Sequence, residues 1–148
     1  MEIFDLDEWK PLAKIIKDSR VIIRNIMTKH FDETIHDDSR KIQEVGFFLK
    51  VFKFITKKWN IEILYELEIH KGLTFNEIMR HMQKISTRTL SDCLKQLQKY
   101  DLITRNIQDT RPPSVLYKLN ENGNGFIELS LLLIYYLANV RQKKSLPK

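Results

Sequence analysis

The chain has only one cysteine, four glycines and four prolines in 148 residues. A single thiol excludes an internal disulfide and any zinc site built from cysteines, and it fits a reducing cytoplasm. Scarce glycine and proline, together with 30% charged and 43% hydrophobic residues, favour an ordered, helix-rich protein over a disordered one. We expect one domain with appendages, because a chain of this length buries one core but hardly two.

Signatures of catalysis are also missing. The sequence has no glycine-rich phosphate loop, and no serine or cysteine lies in a known nucleophile motif. Four histidines are scattered along the chain: His30, His36, His70 and His81. The first two lie six residues apart, which does not place them on one helical face. We therefore expect no enzyme and no metal or cofactor site, and we interpret Glu62 and Glu66 as a solvated helix face.

Signals for secretion or membrane insertion are weak. The first five residues, MEIFD, are acidic where a secretory signal is basic. The apolar run over residues 126–140 is short and contains Glu128, which favours a buried or dimer-forming helix over a membrane span. We expect a cytoplasmic, nucleoid-associated protein with no membrane partner.

Positive charge is concentrated in the middle of the chain. The net charge is +6; residues 46–120 carry 13 basic and 7 acidic side chains, whereas residues 1–45 carry 8 and 10. A basic surface attracts phosphate backbones or anionic membranes, and charge alone does not choose between them.

The N-terminal third predicts a long amphipathic helix. Residues 12–27 place one wide apolar stripe on it, with Pro11 tolerated in the first turn, and such a stripe needs a partner. Residues 32–41 are polar and predict a bend, although the apolar residues within and after it leave open that the helix resumes.

Two further helices are expected before residue 71. The first covers residues 46–55, with Lys50 and Lys53 facing solvent and these apolar side chains facing inward: Phe47, Phe48, Val51, Phe52, Phe54 and Ile55. The second covers about residues 60–70, packs Ile61, Leu64 and Leu67, and ends at a glycine signal, Lys71-Gly72.

A helix-turn-helix follows. Thr74 and Glu77 have the spacing of a capping box, which starts a short helix with Phe75, Ile78, Met79 and Met82 on its inner face. A turn leads to a second helix capped by Ser86, whose apolar stripe is Leu90, Cys93, Leu94 and Leu97. With this stripe facing inward, the opposite face of the helix is short, polar and mostly basic, which suits a helix in a DNA major groove. An ordinary solvated amphipathic helix is the alternative for this helix taken alone.

A hairpin and a last helix complete the pattern. Residues 103–107 and 115–119 alternate at period two and predict two antiparallel strands. The polar loop between them has Arg111 at its tip beside Pro112 and Pro113, and it suits a wing on a phosphate backbone or in a minor groove. Asn120 is positioned to cap the final helix. We expect Cys93 to be a small buried hydrophobe.

Several strings together resemble the HxlR-type winged-helix transcriptional regulators over roughly residues 46–140. The matching strings are Lys58-Trp59, Phe75-Asn76-Glu77-Ile78, residues 85–91 with Leu94 and Leu97, Asp101-Leu102-Ile103, Pro112-Pro113 with Val115 and Tyr117, and residues 119–123. The resemblance implies a homodimeric, sequence-specific DNA-binding regulator with one recognition helix per protomer in a major groove.

Two departures from the family stand out. Members often carry a Cys-Pro pair ahead of the first helix, which some use as a redox or electrophile sensor; Gly46-Phe47 stands there in this chain, which looks unlike a thiol sensor. Members also generally lack so long an N-terminal extension, and its apolar stripe suggests added dimer contact.

These features predict a mainly α winged helix-turn-helix with a small antiparallel β-hairpin wing and extra dimerisation helices at both ends. The expected organisation is an N-terminal extension over 1–45, a DNA-binding domain over 46–120, and a dimerisation helix with a basic tail over 121–148. The expected partners are double-stranded DNA and a second copy of the chain, and no effector is indicated. Expected DNA-binding residues are Ser86, Thr87, Arg88, Thr89, Ser91, Lys95, Lys99, Arg105 and Arg111.

Two alternatives remain at this point. Asp92 on the outward face of the recognition helix is repelled by phosphate, which favours a winged helix adapted to bind protein. It could instead pair with Arg88 or Lys95, or accept a hydrogen bond from a cytosine amino group. A non-specific, chromatin-like DNA-binding protein is the other alternative, and it predicts a denser basic surface than this one.

Overall fold

The computed structural model describes residues 8–35 and 37–145. Predictions about His36, the acidic first residues and the end of the basic tail lie outside the described residues. The chain forms two compact units: one runs up to Phe48 and resumes from Leu129, and the other is Leu49–Glu128. The boundaries expected at residues 45 and 120 stay a prediction.

The architecture is six helices and a small antiparallel sheet within the described ranges, which confirms the predicted fold class. In chain order the elements are α1 Lys10–Thr34, α2 Asp38–Ile55, α3 Lys58–His70, β1 Leu73–Thr74, α4 Phe75–His81, α5 Thr87–Lys99, β2 Ile103–Gln108, β3 Ser114–Leu119 and α6 Glu121–Ser145. The strands pair antiparallel in the order β1-β3-β2.

The first unit is built from long helices. The predicted bend is short, because α1 runs to Thr34 and helix resumes at Asp38. Glu44 of α2 contacts both His30 of α1 and Arg40, with nitrogen–oxygen distances of 3.0 Å in each case. The Arg20 guanidinium lies 5.3 Å from the ring centroid of Tyr136, a cation–π geometry that joins α1 to α6.

Many apolar side chains of this unit remain exposed. On α1, Ile22 and Ile26 are 61% and 63% exposed. The prediction that the phenylalanines of α2 face inward is wrong for Phe47 and Phe48, and also for Phe52, where α2 continues into the second unit; all three are more than half exposed. Helical periodicity identified the apolar face correctly, but it does not say which molecule covers that face.

The core lies in the second unit. It collects apolar side chains from α3, α4, α5 and the sheet, and Phe54 at the end of α2 stacks on Tyr100 with centroids 3.8 Å apart. On α3, Leu64 and Leu67 are buried as predicted, whereas Ile61 is 46% exposed and Ile63 takes its place in the core. The helix ends at the predicted signal, with Lys71 left-handed at φ 57°.

The sheet and the start of α6 fix the base of the hairpin. β1 was not predicted, since two residues carry no periodicity; it pairs Leu73 with Tyr117 of β3. Asn120 caps α6 as predicted, because its Oδ1 accepts from Gly123 N at 2.9 Å.

Among the described residues, one helical stretch is long and apolar enough to cross a membrane by length and composition, Glu121–Val140 in α6. Only 11% of its most apolar window is buried in the single chain. Buried core helices of soluble proteins pass the same test, so a single stretch of this kind is weak evidence for a membrane.

Candidate nucleic-acid interface

The helix-turn-helix begins at α4. Thr74 Oγ1 accepts from Glu77 N at 3.4 Å, and Glu77 Oε2 accepts from Thr74 N at 2.7 Å, which is the predicted capping box. The Thr74 hydroxyl also donates to Glu77 Oε2, at 2.8 Å. The backbone N–H and the hydroxyl of Thr74 both stabilise the charged form of the Glu77 carboxyl and so lower its pKa. The turn is closed by two backbone bonds, Met82 N to Ile78 O and Ile85 N to Met82 O, both 2.9 Å.

The recognition helix, α5, is capped and packed as predicted. Ser86 Oγ accepts from Thr89 N at 3.1 Å and lies 2.7 Å from Thr89 Oγ1. Leu90, Cys93, Leu94 and Leu97 are all at most 5% exposed. Two expected DNA contacts, Ser86 and Thr89, are therefore engaged with each other at the helix start, and any contact with DNA has to share those hydroxyls.

The outward face of α5 carries the expected cations. Arg88, Lys95 and Lys99 are exposed with Thr87, while Ser91 is half-buried. Asp92 is exposed on the same face, and within the described structure neither Arg88 nor Lys95 comes within ion-pair distance of it. The pairing considered for Asp92 from the sequence is thus not formed, and the carboxylate stays available on this face.

Polar contacts missed from the sequence attach α5 to the start of α3. Gln96 Oε1 accepts from Lys57 Nζ at 3.0 Å and lies 3.4 Å from Asn60 Nδ2. Asn60 is 1% exposed, and its Oδ1 has no hydrogen-bond partner in the described part of the chain. No sequence signal marks this pair, because the two residues are 36 positions apart and only the fold brings them together.

The wing is a regular hairpin with a five-residue loop. β2 and β3 pair from Ile103 with Leu119 to Gln108 with Ser114. Thr110 Oγ1 donates to Pro112 O at 2.9 Å, so the loop has internal hydrogen bonds. Arg111 at its tip and Arg105 on β2 are exposed, as an approach to DNA requires.

The base of the wing is held by Asp101. This residue has φ 53°, a left-handed conformation that favours glycine, asparagine and aspartate. Asn120 Nδ2 donates to its Oδ1 at 3.0 Å, and Asn122 Nδ2 donates to its Oδ2 at 2.8 Å. The carboxylate therefore joins the end of α5 to the start of α6 and fixes where β2 leaves the recognition helix.

Cys93 is buried in the core, as predicted. Burial raises the pKa of its thiol, and the nearby Asp92 carboxylate acts in the same direction, although Lys57 partly opposes them. The thiolate, which is the reactive form, is therefore disfavoured in the folded protein.

Two of the histidines that are scattered along the sequence come together in the fold. His70 at the end of α3 and His81 at the end of α4 lie with ring centroids 4.5 Å apart. Both contact Glu66, which is therefore more than a residue of a solvated helix face. The cluster lies outside the outward face of α5.

A capped helix-turn-helix, an exposed basic helix face and a two-stranded wing define a DNA-binding transcriptional regulator of the winged helix-turn-helix class. The sequence model of the HxlR-like helix-turn-helix family matches residues 54–144. The chain belongs to this family, which confirms the resemblance seen in its sequence.

Individual relatives agree with this assignment. The uncharacterised HTH-type transcriptional regulator YdzF of Bacillus subtilis (strain 168) is 35% identical over 82 residues, which cover 55% of this chain and 75% of YdzF. A protein described as a MarR-family transcriptional regulator from Enterococcus faecalis V583 superposes with a TM-score of 0.61 at 26% identity, over 69% of this chain and 91% of that one. The redox regulator HypR in its reduced form gives a TM-score of 0.53 at 28% identity, over 66% and 93%.

Proposed function

We propose that the chain acts as a homodimeric, sequence-specific regulator, with α5 of each protomer in a major groove and the wing on the adjacent backbone or minor groove. One observation carries the proposal: α5 buries its whole apolar stripe and leaves Arg88, Lys95 and Lys99 exposed. Arg88 lies in the first turn, the part of a recognition helix that meets base edges. The two lysines lie further along, where the phosphate backbone is nearer.

The wing supplies the second contact. Its loop is polar, and Arg111 at the tip of that loop is exposed. An arginine at such a tip can reach a phosphate or enter a narrow minor groove. Arg105 on β2 adds positive charge between the tip and α5.

Dimerisation is proposed from the exposed apolar surface of the first unit. On α6, Leu129, Leu133 and Leu137 follow one another at four-residue intervals and are 68%, 57% and 55% exposed. Burying the exposed part of each leucine contributes about 1–2 kcal/mol, so six leucines from two copies give on the order of 10 kcal/mol. Association costs about 4–15 kcal/mol, so the exposed side chains of α1 and α2 are needed as well.

The oligomeric state tests this part. Light scattering after size exclusion should give twice 17.7 kDa at micromolar concentration. Leu133→Glu places a charge in the leucine stripe and should lower the mass toward that of one chain. Ile107→Glu is the matched control, since Ile107 is 71% exposed but lies on the wing, and it should leave the dimer intact. A monomeric wild type contradicts the proposal.

Selection of bound fragments from random DNA tests recognition itself. The expected result is two related half-sites about one helical turn apart or a multiple of it, as a twofold dimer requires. Arg88→Ala should weaken binding to the selected site, whereas Lys14→Ala, the same loss of charge on exposed α1, should not.

A protein-binding winged helix is the second candidate, because Asp92 is exposed on α5 without a cation beside it in the described structure. The same selection separates the candidates. A protein module enriches no DNA, and a chromatin-like protein binds DNA without preference among sequences. Since its relatives are regulators and not enzymes, we infer a cytoplasmic, non-enzymatic protein that associates with the nucleoid through its DNA sites.

A further inference from the structure

Three side chains with metal-ligand chemistry meet on the surface of the second unit. Glu66 and His70 lie on one face of α3, because residues four apart are neighbours on a helix. His81, the last residue of α4, comes to them from the other side. Glu66 Oε2 lies 2.8 Å from His81 Nδ1 and 3.3 Å from His70 Nε2.

We propose that Glu66, His70 and His81 form a binding site for one Zn²⁺ ion. Each of the three residues offers one ligand atom, and these atoms all lie within 4.8 Å of one another. The contacts with Glu66 point to Nε2 of His70 and Nδ1 of His81 as the ligand nitrogens. Two imidazoles and one carboxylate are a ligand set that zinc takes in proteins, with water in the fourth position.

Two of the three distances between ligand atoms are close to those that the ion requires, and the third is at most 4.8 Å. Tetrahedral zinc with bonds of about 2.0–2.2 Å holds its ligand atoms roughly 3.3–3.6 Å apart. The 3.3 Å contact of His70 with Glu66 already has this length, and His81 needs to move away from Glu66 by about 0.5 Å or more to match the lower end of that range. The ligand nitrogens of the two histidines, at most 4.8 Å apart, need to approach by up to about 1.2 Å to reach its upper end. Each histidine can keep a proton on its other ring nitrogen and so remain a neutral ligand.

The site is open to an incoming ion. The side chains of Glu66, His81 and His70 are 27%, 31% and 42% exposed, so each presents a ligand atom without unfolding. None of the three belongs to the buried core. Variants at these positions should therefore fold, and a loss of metal binding can be read directly.

The ion would join α3 to α4, the first helix of the helix-turn-helix. Two ligands come from α3, and the third ends α4, five residues before the Ser86 cap of the recognition helix. A metal bridge here restrains the C-terminus of α4 against α3. Because the metal binds the folded arrangement, its binding should also raise the thermal stability of the chain.

Zinc titration of the untagged, chelator-treated full chain tests the proposal, by calorimetry or by competition with a chromophoric zinc indicator. We expect one Zn²⁺ per protomer and a rise in Tm with added zinc. His70→Ala, His81→Ala and Glu66→Gln should each weaken binding by about 100-fold or more, at least the loss seen when a supporting residue of a metal site is removed. His30→Ala removes an imidazole on α1 and is the matched control, which should bind zinc like the wild type.

Three results would overturn the site. These are a wild type that binds zinc no more tightly than His81→Ala, a His30→Ala variant that loses as much affinity as the cluster variants, or a Tm that zinc leaves unchanged. In any of these cases, the contacts of Glu66 are hydrogen bonds within the protein and nothing more. Melting curves of the metal-free variants, expected to match the wild type closely, verify that each remains folded.

Discussion

Replacing Gly123 by alanine should destabilise the protein, although alanine is the better helix former. Gly123 lies in the first turn of α6, where an added Cβ would come 2.1 Å from the carbonyl oxygen of Leu102. Contacts under 3.0 Å are essentially never seen for a Cβ, so the two groups must separate by about 0.9 Å. The obstacle is backbone, and the same oxygen accepts from Asn120 N at 3.1 Å, so a shift also disturbs that bond.

Two opposing contributions to the free energy of unfolding decide whether the substitution stabilises or destabilises the protein. Alanine gains up to about 1 kcal/mol over glycine inside a helix. Overpacking a tight contact costs about 1–3 kcal/mol, and disturbing the Asn120 bond adds about 1 kcal/mol. The net loss in the free energy of unfolding should therefore be about 1–3 kcal/mol, or roughly 3–9 °C in Tm for a chain of this size.

Gly125 provides the matched control on the same helix. Its added Cβ would meet nothing within 4 Å, so Gly125→Ala should stabilise by about 0.5–1 kcal/mol. Both variants and the wild type are compared by urea unfolding followed by circular dichroism at one fixed protein concentration, since the proposed dimerisation would make stability depend on concentration. A Gly123→Ala variant as stable as Gly125→Ala would refute the steric argument.

Four more predictions concern the interface and its supports. Arg88→Ala should cost about 1–3 kcal/mol in binding to the selected DNA and relax preference at one base pair, measured by fluorescence anisotropy on site variants; an equal loss on all sequences would make it a phosphate contact. Arg111→Ala should lower the slope of log affinity against log salt by roughly one unit without changing the preferred sequence, and an unchanged slope would show that the wing does not touch phosphate. Cys93 should react with iodoacetamide slowly in the native protein and rapidly in denaturant, because burial raises its pKa; fast native labelling would contradict this. Glu77→Gln should lose stability at neutral pH but not in acid: the bonds from Thr74 lower the pKa of Glu77 in the folded state, so its contribution is present above the unfolded-state pKa and is lost as pH falls through the folded-state pKa. Parallel pH profiles of unfolding free energy for the two proteins would show that the charge contributes nothing.

Local signals in the sequence predicted the helix-turn-helix well. The capping box of Thr74 and Glu77 and the Ser86 cap depend on residues three apart, so the chain next to each cap is enough to predict it. The apolar stripe of α5 is likewise complete within thirteen residues. These elements form the part of the proposed interface that sequence alone could place.

Contacts between distant residues could not be predicted in the same way. His70 and His81 are separated by a turn, a two-residue strand and α4, and nothing in their spacing brings their rings together. Gln96 and Asn60 are also far apart in the sequence and come into contact only in the folded chain. The left-handed conformation of Asp101 could not be predicted either, because the hydrogen bonds from Asn120 and Asn122 to its carboxylate form only in the folded chain.

Two helices of this chain have apolar stripes of similar spacing, but only one stripe is buried, and this difference matters for the proposed dimer. Leu90, Leu94 and Leu97 on α5 are buried, because α3 and the sheet pack against them. The leucines of α6 have a similar helical spacing, yet Leu129 and Leu133 stay more than half exposed in the single chain. Apolar periodicity predicts which face of a helix is buried, but it does not distinguish a face covered by the same chain from one covered by a second copy. The structure of one chain shows which stripe is left uncovered, and the mass of the Leu133→Glu variant is the measurement that tests whether a second copy of the chain covers it.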